Sequence, residues 1–137
     1  MSQKPCTVAR ARLLVVEDEA IVRADLTQTL ADLGYEVVAS TSSGEIAVAL
    51  TIESKPDVVL MDITLGAGMD GLEASQKIQQ SLDVPVIFLT AHSDRSTLHR
   101  LSEIACAGCV QKPFEERLLA EMVEKALSRQ ELPRLPG

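Results

Sequence analysis

Four short apolar runs in this chain do not alternate with polar residues: Leu13-Leu14-Val15-Val16, Val58-Val59-Leu60-Met61, Val86-Ile87-Phe88-Leu89 and the shorter Cys109-Val110. A strand that meets water on one side alternates, so unbroken runs describe strands covered on both faces. Each run gives out into polar side chains. Glu17 and Asp18 follow the first, Asp62 the second, Thr90 the third, and Lys112 comes just after the fourth. A carboxylate at the end of a buried strand is costly to desolvate unless chemistry or a cation uses it. Five polar groups at the carboxyl ends of four strands make one candidate site.

The segments between the runs have helical spacing. A first helix is expected from about Glu19, with Val22, Leu26, Leu30 and Leu33 on one face and Gly34 as the left-handed residue that ends it. Tyr35 to Ala39 reads as a second strand. Ser42-Ser43-Gly44-Glu45 has capping-box spacing ahead of a helix that turns Ile46, Ala47 and Leu50 inward. Lys55-Pro56 breaks that helix, and Asp57 to Met61 becomes the third strand. Asp70 with Glu73 can cap a helix carrying Leu72, Ser75, Ile78 and Leu82, and Pro85 opens the fourth strand. Ser93 or Asp94 caps a helix with Leu98, Leu101 and Ala105 inward, closed by Gly108. The last helix, from about Phe114 to Arg129, lines up Leu119, Met122, Val123, Ala126 and Leu127. Five strands alternating with five helices imply an α/β fold: a doubly wound parallel sheet with helices on both faces and right-handed connections.

A length of 137 residues suits one domain. Residues 1–11 read as a flexible leader, 12–131 as the domain, and 132–137 as a tail or truncated linker. Aromatics are so few, 2%, that the core must be packed mainly with aliphatic side chains. No apolar run approaches the ~20 residues of a membrane span, and no charged-then-apolar leader opens the chain, so a cytoplasmic location is expected. The net charge of −7 without a basic stripe argues against direct nucleic-acid binding. It suits a protein partner or a cation. Cys106-Ala107-Gly108-Cys109 spells C-x-x-C, but it closes a helix and enters a strand, the wrong end for stabilising a thiolate. Two small buried apolar side chains are the favoured reading, and one pair supplies too few ligands for structural zinc.

The acidic pair Glu17-Asp18, Met61-Asp62-Ile63, Met69-Asp70-Gly71, Leu89-Thr90-Ala91 and Lys112-Pro113-Phe114, in this order and at these separations, resemble the receiver domain of a two-component response regulator from about Arg12 to Arg129. The resemblance implies a flavodoxin-like strand order 2-1-3-4-5, which the chemotaxis receiver of that family carries. It implies that Asp62 accepts a phosphoryl group from a histidine kinase or phosphotransfer protein. Asp18 and Asp62, with Glu17 through water, would hold Mg²⁺ in an all-oxygen shell that the Thr64 backbone carbonyl completes. Lys112 would place its ammonium, and Thr90 its hydroxyl, on the phosphoryl oxygens. Output would pass to a downstream protein through the face of the fourth helix, fifth strand and fifth helix, and the resemblance also allows a homodimer through the last-helix face.

Three features depart from the family pattern. Cys109 stands three residues before Lys112, where most members carry Tyr or Phe, so inward movement of a ring cannot transmit the signal in its usual form. The loop Leu65-Gly66-Ala67-Gly68-Met69-Asp70 lacks the common proline and is one residue longer, with Gly66 and Gly68 free to take positive φ. His92, beside Ala91 and two residues after Thr90, either tunes water access to the phosphoryl group or is a solvated loop histidine. His99 is expected to face solvent.

Taken singly, the residues have plainer explanations. Glu17 and Asp18 can serve a helix start, Asp62 a turn, and Lys112 the solvent. Those explanations must all hold at once to dissolve the site. Three alternatives stay open at this point: a flavodoxin-like nucleotide or flavin binder, a phosphatase with a strand-end aspartate nucleophile, and a degenerate receiver that is never phosphorylated. The first conflicts with Glu17-Asp18-Glu19, which would repel phosphate. The second needs an acid two residues after Asp62, where Thr64 stands.

Overall fold

The apolar runs do become strands with both faces covered. The computed structural model describes residues 11–63, 65, 68–90, 108–112 and 114–131. Strands β1 (Arg12–Val16), β2 (Glu36–Thr41), β3 (Val58–Asp62), β4 (Val86–Thr90) and β5 (Gly108–Gln111) form one parallel sheet in the order β2-β1-β3-β4-β5. Helices α1 (Ala20–Asp32), α2 (Gly44–Ser54), α3 (Gly71–Ser81) and α4 (Glu116–Glu131) complete the described elements. The expected helix between β4 and β5 lies outside the described residues, as do residues 1–10 and 132–137.

Successive strand residues feed opposite cores. Leu14, Val16, Val59, Met61, Val86 and Phe88 join Ala47 of α2 and Leu72, Ala74 and Ile78 of α3 on one face. Leu13, Val15, Val58, Leu60, Ile87, Leu89 and Val110 join Leu26 and Leu30 of α1 and Leu119, Val123 and Ala126 of α4 on the other. A fully buried side chain of this kind contributes about 1.5–3 kcal/mol relative to exposure. The sheet is therefore held from both sides, and its strand ends are fixed points for whatever they carry. Among the described residues, no helix is long and apolar enough to cross a membrane.

Local signals set the helix limits. Gly34 takes φ +101, its N–H donates to Ala31 O, and Tyr35 N–H donates to Leu30 O, so α1 closes in a Schellman turn. Lys55, ahead of Pro56, ends α2 in the left-handed region with φ 49. Asp70 accepts from Glu73 N–H at 2.8 Å and starts α3. The capping-box expectation at Ser42 is corrected. The cap of α2 is Ser43, whose Oγ accepts from Ile46 N–H, because the chain stays extended through Thr41 and the helix begins one residue later. Ile46 is half exposed rather than turned inward; the buried face of α2 runs through Gly44, Ala47 and Thr51. Tyr35 precedes β2 instead of opening it; it is buried, and its hydroxyl donates to Glu124 of α4.

Candidate functional site

β1 has β2 on one side and β3 on the other, so the chain leaves β1 in one direction and returns to pair with it from the opposite one. Crossovers that diverge in this way open a crevice beyond the carboxyl ends of β1 and β3. Glu17 follows β1 directly, and Asp62 is the last residue of β3. Thr90 ends β4, and its carbonyl accepts from Lys112 N–H at 2.8 Å, which brings the end of β5 to the same rim.

Glu17 is fully buried and Asp62 is 3% exposed, whereas Asp18 is exposed. Ligand oxygens of these three acids lie within 4.8 Å of one another. The ammonium of Lys112 sits 2.6 Å from Glu17 Oε1 and 3.2 Å from Asp62 Oδ2. Among the described residues, Lys112 therefore pairs with two of the three clustered carboxylates. Burial, followed by the contact and charge of Glu17, pushes Asp62 up to about 7, and Lys112 only partly offsets this. Burial alone would lower the Lys112 ammonium, but the Glu17 contact and the charges of Asp62 and Glu17 outweigh it and raise the group instead.

The donor set fits a hard divalent cation. It is all oxygen, two of its carboxylates are already out of water, and its third, Asp18, faces solvent. A cation there would let Asp62 ionise near neutrality. Thr64, Ala91 and His92 lie outside the described residues. Cys109 is described: it is half-buried on β5, opposite Phe88 of β4, and packs on the core that α2 and α3 cover.

Two contacts were not anticipated. Arg23 of α1 donates from Nη1 to the Glu17 carbonyl at 2.8 Å. Gly71 lies so close to β3 that a Cβ there would stand 1.9 Å from the Asp62 carbonyl oxygen. The glycine of Met69-Asp70-Gly71 is legible as a motif, but its reason is a non-local approach. No local signal reveals that Arg23 folds back.

The family profile described as "Response regulator receiver domain" matches residues 13–124. Transcriptional regulatory protein PdtaR of Mycobacterium tuberculosis is 36% identical over 127 residues, covering 92% of this chain and 62% of that protein. Response regulator GacA of Pseudomonas viridiflava is 40% identical over 115 residues, covering 82% of this chain and 52% of its own length. The chain thus spans less than two thirds of these relatives. Among solved structures, the signal receiver domain of a modulated diguanylate cyclase from Desulfovibrio desulfuricans superposes with a TM-score of 0.85 at 30% identity, covering 90% of this chain and 98% of that one. The anti-anti-sigma factor PhyR of Bartonella quintana superposes with a TM-score of 0.77 at 28% identity, covering 91% of this chain and 50% of that one.

Proposed function

The chain belongs to the response regulator receiver-domain family, and we propose that it works as a phosphorylation switch whose acceptor is Asp62. The observation that carries this reading is the largely buried Lys112 ammonium shared between Glu17 and Asp62, with Asp18 close by. The donor is a phosphohistidine on a kinase or phosphotransfer protein. An Asp62 carboxylate oxygen attacks phosphorus, the P–N bond breaks, and the departing imidazole takes a proton.

Carboxylate is a weak nucleophile and the phosphoryl group is anionic, so the transfer depends on positioning and charge neutralisation. Asp18 and Asp62, assisted by Glu17, are the residues that would hold Mg²⁺, which supplies positive charge to the phosphoryl oxygens when bound. Asp62 must be ionised to attack, and the cationic side of the site opposes the burial that otherwise protonates it. Lys112 holds two carboxylates at rest and turns one of its donors to the phosphoryl oxygen. The Thr90 hydroxyl, at the end of β4, donates to another. The chain takes part in its own phosphorylation and hydrolysis without turning over an outside substrate.

Phosphorylation adds charge at the end of β3 and shifts the balance between two conformations. The output is a change in protein contacts at the face that includes β5 and α4. Cys109 cannot supply the volume of a ring there, so coupling runs through the Thr90 side of the sheet. The likeness to PhyR, an anti-anti-sigma factor in Bartonella quintana, supports output through a protein partner.

Incubation with a small phosphodonor and Mg²⁺, followed by intact mass, tests the reading. One phosphoryl adduct on the wild type that is absent in Asp62→Asn is expected. No adduct under saturating donor and Mg²⁺ would make the chain a degenerate receiver.

A further inference from the structure

We propose that Arg23 is a positioning residue for the divalent cation, acting through the backbone of the turn that carries Glu17 and Asp18. The inference rests on the cation-dependent reading of the site given above. The turn between β1 and α1 places Glu17, Asp18 and Glu19 in succession. Like charges packed this closely repel, and an unsupported turn would open toward solvent.

Besides the Lys112–Glu17 ion pair, three hydrogen bonds hold the turn. Glu17 N–H donates to Thr41 O at 3.0 Å, Glu19 N–H donates to Glu17 Oε2 at 3.1 Å, and Arg23 Nη1 donates to Glu17 O at 2.8 Å. The third contact comes from the helix side, where support is otherwise weak. Glu19 occupies the N-cap of α1 without a side-chain cap hydrogen bond. The Arg23 side chain ties the helix start to the turn, beside the ordinary first helical bond that its backbone makes. Its backbone N–H donates to Glu19 O at 2.8 Å, while its guanidinium reaches back to Glu17 O. The two bonds bracket Asp18.

That bracket matters because Asp18 is the exposed member of the acidic set, and no burial holds its side chain in place. Its aim at a cation follows the backbone on either side. A guanidinium is permanently charged, so Arg23 also brings a cation to the turn while bonding a carbonyl. The carboxylate oxygens are left uncommitted by it. Contacts of this outer kind orient ligands without touching the ion.

The test is Mg²⁺ titrated into the unphosphorylated full chain, read from amide chemical shifts and from the rise in Tm. Arg23→Gln should weaken Mg²⁺ binding about tenfold, with Arg23→Lys in between. Under a small phosphodonor, the half-saturating Mg²⁺ concentration should rise by the same factor, and the rate at saturating Mg²⁺ should return to that of the wild type. Should Arg23→Gln fail to fold, Arg23→Lys carries the comparison. Unchanged Mg²⁺ affinity in folded variants, even with a lower Tm, would make Arg23 purely structural and overturn the proposal. A rate that stays low at saturating Mg²⁺ with unchanged half-saturation would overturn it as well. A wild type that takes up no Mg²⁺ would sink the reading of the site and this inference together, a result distinct from a failure confined to the variants.

Discussion

The two ends of the sheet use similar groups to opposite purposes. At the amino end, Arg12 N–H donates to Asp57 Oδ2 at 2.8 Å and Asp57 N–H returns a bond to Arg12 O at 2.7 Å. The Arg12 guanidinium donates to Ser54 O and Lys55 O, covering carbonyls left open where α2 stops. One cation and one acid there satisfy each other's surroundings, and the arrangement is closed. At the carboxyl end, among the described residues, the Lys112 ammonium pairs with the buried Glu17 and Asp62 while Asp18 lies close to both. Among the described residues, the acidic groups at that end outnumber the cations paired with them, an arrangement suited to an added cation. The two described clusters thus differ: the one at the amino end is satisfied within itself, and the one in the crevice gathers acids.

The sharpest way to break this contrast is Asp62→Asn. It should abolish the phosphoryl adduct and, at pH 8 without Mg²⁺, raise the denaturation midpoint, because it removes a charge that burial and Glu17 oppose more than Lys112 favours it. A lower midpoint would mean that the carboxyl end is as balanced as the other. Gly71→Ala comes next. Its Cβ would meet the Asp62 carbonyl at 1.9 Å, so α3 or the strand end must move. A loss of roughly 3 kcal/mol in urea unfolding is expected, together with weaker Mg²⁺ binding.

The pH dependence sharpens the comparison further. Asp62 rises from an ordinary value of 3.8 to about 7 in the fold. A raised folded value favours the native state fully below 3.8, and that contribution is lost as pH rises through about 7. Metal-free protein should therefore lose stability between pH 5 and pH 8, by a few kcal/mol at most, and Mg²⁺ should restore it at pH 8. Urea midpoints at the two values check this, and Asp62→Asn should flatten the difference. The smallest effect belongs to the amino end. Arg12→Ala should cost about 1–2 kcal/mol and leave Mg²⁺ affinity unchanged by titration. A change in affinity there would show that the two ends are coupled.

What was legible in the chain followed the range of each rule. The Asp70 cap and the Gly34 terminus were readable because both are settled within a few residues. The cap at Ser43 was missed by one position because the extent of β2 depends on its pairing with β1, where the register slips between Leu13 and Leu14. The rim positions of Glu17, Asp62, Thr90 and Lys112 could be anticipated, since each lies where an apolar run stops. Arg23 could not, because a long side chain folding back across a turn leaves no periodic trace.

By itself, the order of residues determined the strand-forming runs, the described helices between them and the polar groups at the strand ends. Backbone preference and hydrophobic period act over a few residues and are written locally. The tertiary structure alone decided which of those groups meet. Lys112 reaches Asp62 across 50 positions and Tyr35 reaches Glu124 across 89. Only the side-by-side placement of β1, β3 and β4, with β5 next to β4, brings such pairs together. The same placement takes Glu17 and Asp62 out of water, and that burial gives an aspartate its altered affinity for a proton.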